Sequence, residues 1–403
     1  MSRTLVKLKA MTTIGKVLII ISYIPESKRI RCTYKMAIIN NKFEFIKMTN
    51  LADLETQNSE PDTLLDFAVI GAGIAGLTAA TEISKRGYKL AVFEKARGTG
   101  GRLSSKRVAD VDGQFMAFDL GCVSMTGASK NFSQQLKDWH LKGVIEPWFK
   151  DAHELTHYVA VPRNSALTRY LSKNLACHFS TQVSSIKRTN NIWHLFTQDI
   201  NGERLLAKAR NVIIATPSPQ ASDLIPAGSH LKRELEKVEI GAQWVMGLEL
   251  DNTLSSAHPI LYPDSDIIFS VSQESRKPKR RDNLGHGNHD HVHGSTILQI
   301  QATSDWTRQH LESTDEQVSS ALLRELEHHV QSPIGIVNAY VHRWLYSCVV
   351  AGVDTKGGYL WDEDGLGLVG DYLSNDAYGV ESAWLSGKQL ADRLTLTNPA
   401  ENI

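Results

Sequence analysis

Cysteine is scarce in this chain. Four occur in 403 residues, Cys32, Cys122, Cys177 and Cys348, and they lie far apart. That spacing excludes a disulfide framework and a cysteine-based metal centre, and it fits a reducing, cytoplasmic setting. An excess of one charge is missing too: lysine plus arginine number 44 and aspartate plus glutamate 44. No whole-molecule field therefore draws the chain to nucleic acid or to an anionic membrane, and the expected partner is a small molecule. Long apolar runs are absent near the start, where "VLIIISYI" at 17–24 falls far short of the roughly 20 residues a spanning helix needs. Basic residues precede that run, as in a signal peptide, but no small-residue cleavage site follows. No internal repeat is visible.

What is present begins after about sixty residues of no clear character. Residues 1–62 read as an N-terminal extension expected to be poorly ordered, or as sequence upstream of a start such as Met48. Single cores stop growing at about 250–300 residues, so the remainder is expected to form two domains.

Phe67 to Ile70 is a short apolar run of the kind a buried parallel strand requires, and Gly71-Ala72-Gly73-Ile74-Ala75-Gly76 follows it. A helical pattern then runs to about Lys85, with Gly87 as its stop, and a second apolar strand, Leu90 to Phe93, ends at Glu94. Strand, glycines, helix, strand and acid in register make a βαβ dinucleotide site. Gly71 permits the turn, Gly73 lets backbone approach a pyrophosphate, and Gly76 lets helix pack on strand. The N–H groups around Ile74 and Ala75 and the helix dipole favour phosphate, while Glu94 is placed for ribose hydroxyls. Lys95 opens the next segment, "KARGTGGRLSSKR", in which Gly101 allows close approach and Arg97 and Arg102 bring cations to the same phosphates.

A second anchor lies near the other end. Leu366 to Val369 read as a buried strand, Gly370 as a point of close approach, and Asp371 as a carboxylate able to accept from a hydroxyl. From about Gly379 the spacing of Val380, Trp384, Leu385 and Leu390 is helical. Its N-terminus, like the first, offers unpaired N–H groups and a positive dipole to a negatively charged group.

The ordered segments "VIGAGIAGLTAATEISKRGYKLAVFEKARGTGGRLSSKR", "FDLG", "VIIATPSPQASDLI", "VHRWLY" and "GVESAWLSGKQLA" resemble the renalase-like branch of the FAD-dependent amine-oxidase superfamily. "SRKPKR" and "ATSDWTRQHLE" point to the same branch. The resemblance covers residues 64–394. It implies an α/β fold: a Rossmann-like, glutathione-reductase-type FAD domain, discontinuous over 63–128, 159–225 and 336–396, and a substrate domain of antiparallel sheet and helices over 129–158 and 226–335. It also implies Arg102 at phosphate, Asp371 at a ribityl hydroxyl, the Val183 backbone at adenine and Val380 at the flavin pyrimidine edge. Two departures concern the substrate. Asp119-Leu120-Gly121-Cys122-Val123-Ser124-Met125 stands where relatives usually read "DLGAQYF", and Arg163 stands where glycine is common.

Elsewhere, Phe132, Leu136 and Trp139 mark one face of a helix, residues 243–250 and 295–302 partly alternate as antiparallel strands do, and Ser313 to Glu316 reads as a capping box. Val318, Leu322, Leu326 and Val330 form the buried stripe that follows. Residues 276–294 read as a polar, histidine-rich, solvated loop. His286, His289, His291 and His293 there lack the spacing of a metal site, so no metal is expected. Cys348 lies in an apolar run as a small hydrophobe, which favours noncovalent FAD over attachment through cysteine. Substrate-side candidates are His342, Arg343, Trp344 and Cys122, with no general base assigned.

The expected activity is hydride transfer from a small reduced substrate to flavin N5, with reoxidation by dioxygen or another acceptor. The resemblance implies a dihydronicotinamide dinucleotide isomer as donor. The alternatives are an amine oxidase, a desaturase, or a flavin-binding protein without turnover.

Overall fold

The computed structural model describes residues 63–109, 115–251, 258–280, 296–331, 334–374 and 378–396, together with the backbone of four strands between residues 7 and 48. The chain divides into two units, Met1–Asp62 and Thr63–Ile403. In the first, strands Lys7–Thr13, Lys16–Tyr23, Cys32–Ile39 and Lys42–Met48 pair in sequence order as an antiparallel meander.

The second unit is built on two sheets. In the larger, Cys177–His178, Leu90–Phe93, Leu64–Ile70, the end of Gly202–Ile214 and Leu366–Val369 lie side by side and parallel, in that order. The two anchors found in the sequence thus flank one strand: Ile214 pairs with Ile70 on one side and with Leu368 on the other. Such short apolar strands are stable only with both faces covered. Phe67 and Val69 point to the face holding the helices Ile74–Ser84 and Val380–Leu396, and Ala68 and Ile70 point to the other, with Val183, Leu224, Leu231 and Tyr372. On the helical face Phe132, Trp139 and Trp384 meet edge to face or tilted, with centroids 5.5–6.5 Å apart. Burying each ring removes it from water for about 2–3 kcal/mol.

The smaller sheet is antiparallel, in the order Ile260–Leu261, Ile268–Gln273, Thr296–Ala302, Glu239–Leu250, Ile336–Ala351. Val318, Leu322 and Leu326 of helix Asp315–Val330 pack on it. The capping box sits one residue later than expected. The Thr314 hydroxyl accepts from the Gln317 N–H and the Gln317 side chain accepts from the Thr314 N–H, so the Ser313 to Glu316 assignment is corrected by one step. A hairpin of Ser105–Ala109 and Phe115–Asp119 reaches from the glycine-rich loop toward this sheet.

Candidate active site

The site forms where the parallel strands end. Gly71 has φ +110°, a conformation L residues rarely adopt, and a Cβ there would lie 2.8 Å from the Ala215 carbonyl oxygen. A Cβ at Gly76 would lie 2.2 Å from the Gly71 oxygen, so only glycine lets helix Ile74–Ser84 come this close. Gly73 is different. A Cβ there would meet nothing within 4 Å, so open space faces the backbone where a pyrophosphate would approach. Gly101 lies against it, with its own Cβ position 3.4 Å from the Gly73 Cα. Ile74 and Ala75, both buried, open the helix.

Glu94 leaves the second strand and accepts from the Ala72 and Ala96 N–H groups, each at 2.8 Å. Its carboxylate is thereby pinned beside the glycine turn. Lys95, next to it, is exposed. Residues 177–183 run along the same strand end: the Thr181 N–H donates to the Glu94 carbonyl at 2.9 Å and the Ser180 N–H to the Ala96 carbonyl at 2.8 Å. Val183 follows with its side chain in the core.

The C-terminal anchor closes onto this loop. Arg102 makes a bidentate pair with Asp371, at 2.8 and 2.6 Å, and donates to the Ser347 carbonyl at 3.0 Å. Asp371 is fully buried and also accepts from the Gly379 N–H at 3.1 Å, just before helix Val380–Leu396. Burial works against the charge on Arg102, yet the Asp371 carboxylate holds its pKa above the ordinary value. Gly370 is fixed by the Ser386 hydroxyl at 2.9 Å, and half-buried Val380 packs against the helical-face core. The two glycine–helix ends expected to share one cofactor therefore lie together. Arg102 and Asp371, expected on separate cofactor groups, hold each other.

The substrate-side candidates divide. The Cys122 N–H donates to the Arg102 carbonyl at 2.8 Å, and the Trp344 indole N–H to the Leu120 carbonyl at 2.9 Å. His342 stands edge-on to Trp344, with centroids 4.7 Å apart. Arg343 takes the opposite side of the strand, as alternation requires, and binds the Leu311 carbonyl and Glu312 over the Trp244 ring. It does not join the other three. Burial pushes the Cys122 thiol up to about 12, and burial, then the charge of Lys106, lowers His342 below the usual imidazole value. Cys348 faces the Ser304 hydroxyl at 3.1 Å.

A buried polar network beside these groups escaped sequence reasoning. Asp119 accepts at one oxygen from the Ser105 hydroxyl at 2.8 Å and the Asn164 N–H at 2.9 Å, and at the other from Lys277 at 3.0 Å and Arg280 at 2.5 Å. Lys277 also pairs with buried Glu274. Lys277 and Arg280 thus correct the picture of residues 276–294 as a solvated loop: Lys277 is 3% exposed and the Arg280 side chain 6%. The four histidines of that segment lie outside the described residues. Against its burial, Asp119 is held below the ordinary carboxylate range by Arg280 and Lys277, whereas burial pushes Glu274 up. Gln299 donates to the Asp119 and Gly121 carbonyls at 2.6 and 3.1 Å, and Gln301 to the Gly121 carbonyl at 2.8 Å. The Gln299 side-chain oxygen is buried without a partner, as is the Thr216 hydroxyl beside Gly71. Among the described residues no group of histidine, cysteine and carboxylate side chains could hold a metal ion.

Parallel strands leading into two glycine-initiated helices, with the Glu94 carboxylate pinned at the end of the strand on the outer side of the first, make a dinucleotide-type α/β site. Two family models match the chain: NAD(P)-binding Rossmann-like domain over residues 69–139 and flavin containing amine oxidoreductase over residues 148–395. The chain belongs to the flavin containing amine oxidoreductases, and it is an FAD-dependent oxidoreductase. It is similar to renalase of Mus musculus, 22% identical over 325 residues, covering 72% of this chain and 87% of that protein. Over a shorter stretch it resembles a 4,4'-diapophytoene desaturase of Staphylococcus aureus, 30% identical over 102 residues but only 19% of that protein. Two solved structures share the fold. A putative protoporphyrinogen oxidase from Exiguobacterium has a TM-score of 0.58 at 12% identity, over 84% of this chain and all of the other. A putrescine oxidase variant has a TM-score of 0.56 at 13% identity, over 83% and 99%. Among the described residues no helix is long and apolar enough to cross a membrane.

Proposed function

We propose that this protein takes a hydride from a small, already reduced substrate, a dihydronicotinamide isomer, and that it holds its FAD without a covalent bond in a cytoplasmic setting. Bound FAD would supply the hydride-accepting N5 and the two-electron exchange with dioxygen or another acceptor. Gly71, Gly73, Gly76 and Gly101 give the pyrophosphate backbone amides at close range, Glu94 takes the adenosine ribose, and the Val183 backbone faces adenine. Lys95 adds a cation at the rim. Arg102 and Asp371, locked together, orient the loop and the helix N-terminus at Val380 toward the ribityl and pyrimidine end. Cys348, engaged by Ser304, is spared for packing rather than attachment. Separate flavin and substrate domains fit the two sheets of the second unit once two boundaries are moved: strand Ile336–Ala351, expected in the flavin domain, pairs in the smaller sheet, and helix Lys130–Leu141, expected in the substrate domain, packs on the helical face of the larger one.

The observation that carries the reading is that the thiol and carboxylates on the substrate side are withdrawn from proton transfer, which leaves the half-buried His342 imidazole, its pKa lowered by burial and edge-on to Trp344, as the group there to be tested as a base. Cys122 stays a thiol up to about 12, and Asp119 and Glu274 are enclosed by Lys277 and Arg280. A donor that is already reduced needs alignment and no base, and Trp344 offers a flat wall for it. Similarity to renalase over most of both chains supports the same choice. Anaerobic mixing of the FAD-loaded protein with dihydronicotinamide isomers, and separately with primary amines and an apolar polyene, is the test. Loss of the visible flavin band is expected with the isomers alone. Bleaching by amines or by the polyene instead would replace this reading, and a flavin that no donor bleaches would make the protein a binder.

A further inference from the structure

Three segments converge on Asp119 and bring arginines with them. Ser105 and Asn164 bind one carboxylate oxygen, and Arg280 binds the other while also donating to the Pro162 carbonyl. Arg107 lies two residues beyond Ser105, hence on the same face of its strand, and Arg163 lies between Pro162 and Asn164. Arg107, Arg163 and Arg280 are therefore gathered in one place, with Arg169 on the helix that follows. Their compensation is incomplete. Asp119 already serves four donors, and among the described residues Arg107 has only the face of Phe115, at 4.7 Å. Among the described residues no carboxylate makes an ion pair with Arg107, Arg163 or Arg169. Arg280 Nε is buried and has no acceptor. Arg163 is half-buried, and its pKa is lowered by that burial and by the charges of Arg107 and Arg280. Partly desolvated guanidinium groups crowded this way lack an anion, and phosphate oxygens match their fork geometry.

We propose that Arg107, Arg163 and Arg280 form an anion subsite that holds the pyrophosphate of a dinucleotide substrate. This rests on the reading of the substrate as a reduced nicotinamide. Position supports it: Asp119 is three residues from Cys122, at most about 10 Å along the chain, so subsite and flavin-side groups are within reach of one nucleotide. The same charges would repel an amine cation and are of no use to an apolar polyene.

The test reads thermal unfolding by tryptophan fluorescence in the FAD-loaded protein, with no turnover involved, so it stands apart from the bleaching experiment. Pyrophosphate and ADP-ribose are expected to raise Tm of the wild type. Arg163→Gln is expected to keep or raise Tm without ligand, because repulsion is relieved, and to weaken ADP-ribose binding at least about tenfold. Arg163→Lys should retain part of the binding. An equal shift in wild type and Arg163→Gln would overturn the proposal, as would a lower Tm of the free variant, which would make Arg163 structural. Protection by inorganic phosphate equal to that by ADP-ribose would leave a free-phosphate site and overturn the substrate assignment. If pyrophosphate protects only before FAD is loaded, the arginines belong to the cofactor and the proposal falls.

Discussion

Cys122 is a sulfur beside the glycine-rich loop that burial has withdrawn from chemistry. It donates to the Ser124 carbonyl at 3.0 Å, and its thiol pKa rises from 9.0 to about 12. The thiolate is the reactive form. Because the folded value lies above the ordinary one, the stabilisation is complete below about 9 and is lost as pH climbs from there toward 12. Native protein treated with iodoacetamide at a pH near 8.5, the ordinary thiol value, is expected to leave Cys122 unmodified by mass spectrometry, whereas unfolded protein is alkylated there. Rapid alkylation of Cys122 in the folded protein would contradict the burial. Single residues were legible where spacing within one local unit brings them together, as the Glu94 carboxylate meets the Ala72 N–H. Gly71, Gly73, Gly76 and Glu94 belong to one local unit, and the structure brings them to one strand end. The string His342-Arg343-Trp344 did not reveal which faces turn inward, because that depends on the pairing of Ile336–Ala351 with Glu239–Leu250 and on its bulges.

Helix packing at the cofactor end separates two jobs of glycine. Helix Ile74–Ser84 and helix Val380–Leu396 approach so closely that a Cβ at Gly387 would lie 2.2 Å from the Ala75 carbonyl oxygen. Gly387→Ala must push the helices apart and is expected to cost about 1–3 kcal/mol, measured by chemical denaturation of the FAD-free protein. Gly73→Ala meets no protein atom and adopts an allowed φ of −81°. Its stability without FAD should equal that of the wild type, while weaker FAD binding is what the proposed pyrophosphate approach at Gly73 requires. A destabilised Gly73→Ala variant that still binds FAD tightly would reverse the assignment. At this scale the sequence was most readable. Strands Leu90–Phe93 and Leu366–Val369 fall where their apolar runs predict, since short buried strands announce themselves by composition. The capping box slipped one place because Ser313 and Thr314 are both competent caps and only the helix start decides between them.

At the scale of the whole second unit, the Asp119 network ties a hairpin of the parallel-sheet side to the Glu274–Lys277 turn that leaves the antiparallel sheet, 158 residues away in sequence for the Lys277–Asp119 contact. No local pattern announces this. "SRKPKR" carries the composition of a solvated loop, and only partners brought in from far along the chain make Lys277 and Arg280 inhabitable inside. Lys277 separates two buried carboxylates, so Lys277→Met leaves Glu274 and Asp119 facing each other with Arg280 alone between the charges. Breaking a buried pair in this way costs about 3–5 kcal/mol. The pH dependence follows from the two carboxyls. Asp119 has its pKa held below 3.8, so its contribution is lost only as pH falls through that depressed value, and it stays ionised from mildly acidic to neutral pH. Glu274 has its pKa raised above 4.5, so its contribution is complete below about 4.5 and declines as pH rises through the folded value. Removing Lys277 raises Glu274 further. Urea denaturation is therefore expected to show a larger deficit for Lys277→Met at neutral pH than near pH 5, the end of the window in which carboxylates begin to protonate. Lys277→Met combined with Glu274→Gln should recover part of the loss at neutral pH and flatten the pH dependence. A deficit that is equal at both pH values, or one the second substitution leaves untouched, would mean that Lys277 stabilises through its packing against Trp148, 5.3 Å from the ring centroid, and not through charge.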